Sequence, residues 1–193
     1  MDLEQLITQR LRMSTMAIEV LDSLRPAIAT AAATLVQTLH DGNAILTCGN
    51  GGSAAEALHL AEELTGRYRG NRPALRAQCL CADPTALTCI ANDFGFEQVF
   101  ARQLEAIGRP GDLLVAFSTS GKSPNVLRAL HVAKERGIKT LGLLGGQGGP
   151  ALLLCGQALV IDGVDSAAIQ EAHQMILHML CEACEVAFPS RKA

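Results

Sequence analysis

The chain has 193 residues, enough for one domain with a sizeable buried core. Residues 49% apolar but only 3% aromatic, with no Trp, leave Leu, Ala, Ile and Val to build that core. A formal net charge of -3 gives no support for general nucleic-acid binding, so any anionic ligand must be held by local groups.

Seven cysteines at irregular spacings do not read as a disulfide framework. The charged, amphipathic N-terminus has no secretory pattern, and no apolar stretch is long enough to span a bilayer. A cytoplasmic location with reduced thiols and no membrane association is expected. Cys181 and Cys184 have C-x-x-C spacing within a long helical pattern and no second pair nearby, so they read as core thiols.

Residues 2–24 predict an amphipathic helix with Leu3, Ile7, Leu11, Ile18 and Leu21 among its apolar positions. Pro26 fits the first turn of a second helix to about His40, and Asp41-Gly42 ends it. This N-terminal helical pair, residues 1–41, is expected to pack on the domain or on another subunit. An α/β core over 42–193 follows.

Ala44 to Thr47 predicts a buried parallel strand and Ala54 to Leu64 a helix. Between them lies Cys48-Gly49-Asn50-Gly51-Gly52-Ser53. Strand, glycine turn and helix make an anion cradle: Gly51 and Gly52 permit close backbone approach, and Ser53 can cap the helix. The same residues also suit a plain tight turn. His59 and Glu63, four apart, share a helix face, where an imidazole and a carboxylate can bind metal or move protons. A surface pair, or a histidine packed on an apolar face, is the other reading.

The loop from Gly66 to Pro73 carries Arg67, Arg69 and Arg72, which either close over a phosphorylated ligand or form a solvated loop. Gln78 to Ala82 predicts a short strand. Asp83-Pro84 opens a helix through about Ala91, which Asn92-Asp93 interrupts. A helix from about Glu97 to Ile107 follows. Asp112 to Phe117 is the clearest strand, and it runs into Ser118-Thr119-Ser120-Gly121-Lys122-Ser123 before Pro124. Four hydroxyls around one glycine, between strand and helix, make a second anion cradle without the spacing of a nucleotide-hydrolysing loop. Lys122 need not touch the ligand.

The helix from Asn125 ends near Gly137, Ile138 to Leu144 is a strand, and Gly145 to Pro150 is a glycine loop. A last strand spans Ala158 to Ile161. A long helix from about Ala167 to Val186 carries Gln170, Glu171, His173 and His178. His173 reads as structural or exposed, and His178 on residues alone reads as a buried core histidine. The alternation predicts an α/β fold: a doubly wound, mostly parallel five-stranded sheet flanked by helices. Both serine loops then leave the carboxyl ends of strands, where such sheets bind ligands.

Four stretches carry a resemblance: CGNGGSAAEALHLAEELTGRYRGNRP, IANDFGFEQVFARQLEAIGRPGD, STSGKSPNV and IQEAHQMILHML. Across nearly its whole length the chain resembles the phosphoheptose isomerases of the sugar isomerase (SIS) domain class. HLAEELTGRY is the most specific part. The resemblance implies the SIS fold and a homotetramer with active sites at subunit interfaces. It also implies conversion of D-sedoheptulose 7-phosphate to D-glycero-D-manno-heptose 7-phosphate, the first step toward ADP-heptose and the lipopolysaccharide core. Asn50, Gly51, Gly52, Ser53, Ser118, Thr119, Ser120 and Ser123 would line the phosphate and sugar pocket. Asn92 and Asp93 would bind sugar hydroxyls, and Arg67, Glu63 and Gln170 would also face the substrate. Glu63 and His178 would be the acid/base pair. His59, Glu63, Gln170 and His178 would hold one Zn2+ per subunit.

A related class, the DnaA initiator-associating proteins, keeps the fold but binds a replication initiator and lacks the residues matching Glu63 and His178. The presence of both here favours an enzyme over a non-catalytic phosphosugar- or initiator-binding protein. Aminosugar-phosphate enzymes usually carry two such domains, and this chain has room for one. Ala167-Ala168 departs from family members that carry an acidic and a basic residue there.

Overall fold

A computed structural model describes residues 2–189. In chain order the elements are α1 (Leu3–His40), β1 (Ile45–Cys48), α2 (Gly52–Thr65), β2 (Ala77–Cys79), α3 (Pro84–Phe94), α4 (Ala101–Ile107), β3 (Leu113–Ser118), α5 (Pro124–Glu135), β4 (Lys139–Gly145), β5 (Gln157–Ile161) and α6 (Ser166–Ala187). Short 3-10 turns cover Phe96–Gln98 and Pro150–Leu153.

The sheet order is β2-β1-β3-β4-β5, and every pairing is parallel. Ile45 sits opposite Ala77 on one side and Leu113 on the other, and Leu113 sits opposite Lys139. β3 explains the doubly wound form. All six of its residues are buried, and they alternate between two cores. Leu113, Val115 and Phe117 face a core shared with Leu35 of α1, Leu60 and Leu64 of α2, and Ile176 and Leu180 of α6. Leu114 and Ala116 face a second core with Leu104 of α4 and Val126 and Leu130 of α5. The sheet order reverses at β1 and β3, so the chain leaves these neighbouring strands toward opposite faces and a crevice opens between their carboxyl ends.

The expected helical pair is instead one continuous helix, with Pro26 inside it. An interior proline removes a hydrogen bond and costs about 3 kcal/mol. Here packing overrides it: Leu21 before the proline and Ile28, Ala31 and Leu35 after it are all buried in the same core. The first turns are different, with Leu3, Leu6, Ile7 and Leu11 more than half exposed. Two further expectations are corrected. Asn92-Asp93 does not interrupt α3, which runs on to Phe94 and stops at Gly95, where φ is 88°. The helix expected from Glu97 begins at Ala101, because a 3-10 turn takes up Phe96–Gln98. No helix among the described residues is long and apolar enough to cross a membrane.

Asp165 fixes the start of α6. Its carboxylate accepts from Ala168 N at 2.9 Å and from Arg10 of α1, also at 2.9 Å. The Ala168 hydrogen bond and then the Arg10 guanidinium hold this carboxyl below the usual carboxylate range. A depressed folded-state pKa contributes stability above the unfolded value and loses it as pH falls through the folded one. Asp165→Asn is therefore expected to be less stable than the native chain at pH 7, with the gap closing below about pH 4. Urea unfolding of both at pH 7 and pH 3 measures this; an equal gap at both pH values would contradict it.

Candidate active site

Two loops leave the carboxyl ends of β1 and β3 and are joined by side chains. Asn50 Nδ2 donates to Asn125 Oδ1 at 2.9 Å, and Asn125 Nδ2 donates back to Asn50 Oδ1 at 2.8 Å. Asn125 is buried at the start of α5 and also takes its own helix's Val126 N–H at 3.0 Å. The sequence reading passed it over as an ordinary residue behind Pro124. The pair brings the N-termini of α2 and α5 to one crevice, and both helix dipoles favour an anion there.

The first cradle differs from expectation in its cap. Gly51 is the N-cap of α2, and Ser53 lies buried in the first turn. The chain enters the helix one residue earlier than the serine because Gly51 adopts φ 56°. Gly52 lies against α6: a Cβ there would lie 2.3 Å from Gln170 Nε2, so the end of the Gln170 side chain would have to turn aside. In the second cradle Ser118 Oγ accepts from Gly121 N at 3.0 Å, and Ser120 Oγ accepts from Lys122 N at 3.2 Å. Thr119 and Ser123 are half-buried. Gly121, with φ 61°, packs its backbone on Gly148, where a Cβ would meet the Gly148 carbonyl at 2.0 Å. The glycine loop thereby forms a wall of a cleft of about 440 Å³, lined by Thr119, Ser120, Lys122, Gly145, Gly146 and Gln147 among others.

Further along α2 a second polar group assembles. His59 Nε2 is 3.1 Å from Glu63 Oε1. The His59 and His178 rings meet edge to face with centroids 5.4 Å apart, and Tyr68 lies 5.4 Å from His178. Gln174 of α6 reaches both imidazoles. Glu62 joins the donor cluster as well: ligand atoms of His59, Glu62 and Glu63 all lie within 4.8 Å of one another. Gln170 is not part of this group. It sits two turns of α6 before His178, against Gly52, so the structure separates the residues expected to share an ion.

The basic loop divides by function. Arg72 is buried and structural: its guanidinium donates to the carbonyls of Glu63, Leu64 at 2.9 Å and Pro73 at 3.0 Å, and pairs with Glu185 at 3.3 Å. It closes the carboxyl end of α2 and so fixes the turn that carries Glu63. Arg69 is exposed and pairs with Glu182 at 3.0 Å. Arg67 is exposed, without a hydrogen bond or ion pair among the described residues. Asn92 and Asp93 are also exposed; Asn92 Nδ2 donates to Asp93 Oδ1 at 2.7 Å, and neither bonds to a serine loop. His173 is fully buried, 3.8 Å from the buried Glu56. Cys181 and Cys184 are free buried thiols; burial pushes the Cys184 thiol up to about 12 and raises Cys181 further.

Fold and site together define a sugar isomerase class of protein, and residues 12–145 match the SIS domain family model. The "Phosphoheptose isomerase" of Pelobacter propionicus is 49% identical over 162 residues, covering 84% of this chain and 86% of that protein. The solved phosphoheptose isomerase of Neisseria gonorrhoeae superposes with a TM-score of 0.90 at 36% identity, covering 96% of this chain and 100% of that one. That of Francisella tularensis gives 0.91 at 36% identity, covering 95% and 98%. The chain belongs to the phosphoheptose isomerase family of SIS domain proteins.

Removing the Arg72 guanidinium would leave the Glu63, Leu64 and Pro73 carbonyls without their donor, while Glu185 keeps the Gly70 N–H at 2.6 Å. Leaving a buried polar group unsatisfied costs about 1–3 kcal/mol. Arg72→Met is expected to lose about that much in urea unfolding, and no measurable change would contradict the structural role.

Proposed function

We propose that the chain is a sedoheptulose 7-phosphate isomerase, forming D-glycero-D-manno-heptose 7-phosphate for the heptose of bacterial surface polysaccharide. The observation that carries this reading is the pairing, in one chain, of a clasped two-helix anion cradle with the His59, Glu63 and His178 cluster. A ketose-to-aldose change needs one proton moved between neighbouring carbons and others moved at oxygen. The phosphate binds the hydroxyls and N–H groups of Ser53 and residues 118–123, so remote binding energy orients the reacting end. Asn50, Gly51, Gly52, Arg67, Asn92, Asp93 and Gln170 complete the substrate contacts. Glu63 takes the proton from C1 of the ketose, giving a cis-enediol, and returns it to C2. Neutral His178 carries protons at the oxygens.

Glu63 follows Gly52 by eleven residues, about 16 Å along α2. That separation of cradle and cluster along one helix is compatible with active sites shared between subunits, with Glu63 and His178 serving a neighbour's phosphate cradle. The exposed apolar residues of the first turns of α1, with Phe94 51% and Phe96 62% exposed, support an assembly that covers them, a homotetramer. The reduced, unpaired cysteines suit a cytoplasmic location.

His59 and Glu63 fit a divalent zinc ion by donor chemistry, with Glu62 a third donor within 4.8 Å of both, and the 3.1 Å between His59 Nε2 and Glu63 Oε1 is close to the ~3.3 Å between two donors on a tetrahedral ion with ~2.0 Å bonds. His178, which faces His59 ring to ring, would have to move closer to join them, and Gln170 would have to leave Gly52. Zinc bound there supplies Lewis-acid polarisation of the substrate oxygens.

Glu63→Gln keeps shape and removes the base. Turnover of sedoheptulose 7-phosphate is expected to fall about 10²–10⁴-fold with KM little changed; unchanged turnover would refute the assignment and favour a binding protein. Metal analysis of protein purified without chelator is expected to find zinc in the native chain and to lose it in His59→Ala. Metal absent from the native chain would count against the ion.

A further inference from the structure

Gln174 stands on α6 midway between Gln170 and His178, one turn from each. Its Nε2 lies 2.5 Å from His59 Nδ1 and 3.3 Å from His178 Nε2. The expected ligand set does not include it. A carboxamide donates through its nitrogen or, turned by 180°, accepts through its oxygen, so Gln174 can serve either tautomer of the ring it faces. His59 thus meets Gln174 at Nδ1 and Glu63 at Nε2.

An ion shared with Glu63 needs a lone pair on His59 Nε2, the nitrogen 3.1 Å from the carboxylate, and the ring proton then sits on Nδ1. Nδ1 faces Gln174 and requires an acceptor there, which the carboxamide oxygen supplies.

We propose that Gln174 is a positioning residue for the metal site: its carboxamide oxygen accepts from His59 Nδ1–H when the ion is bound and so presents Nε2 to the ion. This inference rests on the zinc reading above. Outer partners of ligating histidines fix the tautomer, and losing one typically weakens metal binding 10–100-fold.

The test is zinc affinity, measured by titrating Zn2+ into chelator-stripped full-length protein against a chromophoric chelator, with thermal melting of each ion-free variant alongside. Gln174→Leu should bind zinc 10–100-fold more weakly than the native chain without a matching fall in melting temperature. Gln174→Glu keeps an acceptor and should bind at least as tightly as the native chain, so it carries the test alone if the leucine variant does not fold. Native-like affinity in Gln174→Leu, or tenfold weaker binding in Gln174→Glu, would overturn the role of Gln174 while leaving the zinc site standing. No zinc binding by the native chain would overturn both.

Discussion

The carboxamides of Asn50 and Asn125 exchange two hydrogen bonds across the crevice where the sheet order reverses. In a doubly wound sheet that crevice opens because successive crossovers leave neighbouring strands toward opposite faces. Left open, it would set two helix N-termini apart, each with unpaired N–H groups. The reciprocal pair draws the loop after β1 to the first turn of α5 and makes both ends address one point. The anion binding proposed for this crevice depends on this closure, since the net charge of -3 supplies no general attraction for an anion.

A second constraint is the alignment of α2 with α6. Gly52 gives Gln170 room at one end, and Arg72 ties the other end to Glu185. Between these fixed points the two helices present matching faces: His59 and Glu63 from one, Gln174 and His178 from the other. The polar cluster is therefore held on rigid elements whose other faces are locked in the core by Leu60, Leu64, Ile176 and Leu180. The anion cradle and this cluster are separate constructions on the same helix, eleven residues apart from Gly52 to Glu63.

The wound sheet, the two serine loops and the His59-Glu63 pair were legible because each rests on local pattern: an apolar run, glycines between strand and helix, a four-residue spacing. The features that sequence reading missed rest on partners distant in the chain. Pro26 signals a helix start locally, and only the burial of Leu21 with Ile28 keeps α1 continuous. Asn125 looks like any residue after a helix-opening proline until Asn50 faces it, 75 positions away. Three arginines in one loop look alike in sequence, and only packing separates the buried Arg72 from the exposed Arg67 and Arg69. Gln174 did leave a signal. An ion reached by both Gln170 and His178 would have to lie over the turn between them, and Gln174 occupies that turn.

The most direct measurement is a crystal structure of the Glu63→Gln variant, assembled as in solution, with sedoheptulose 7-phosphate bound. The phosphate should accept hydrogen bonds from residues 119–123 and the start of α2, with C1 and C2 of the sugar against residue 63 and His178 of a neighbouring subunit. A sugar whose carbonyl end lies remote from residue 63 of every subunit would contradict the proton-transfer role of Glu63.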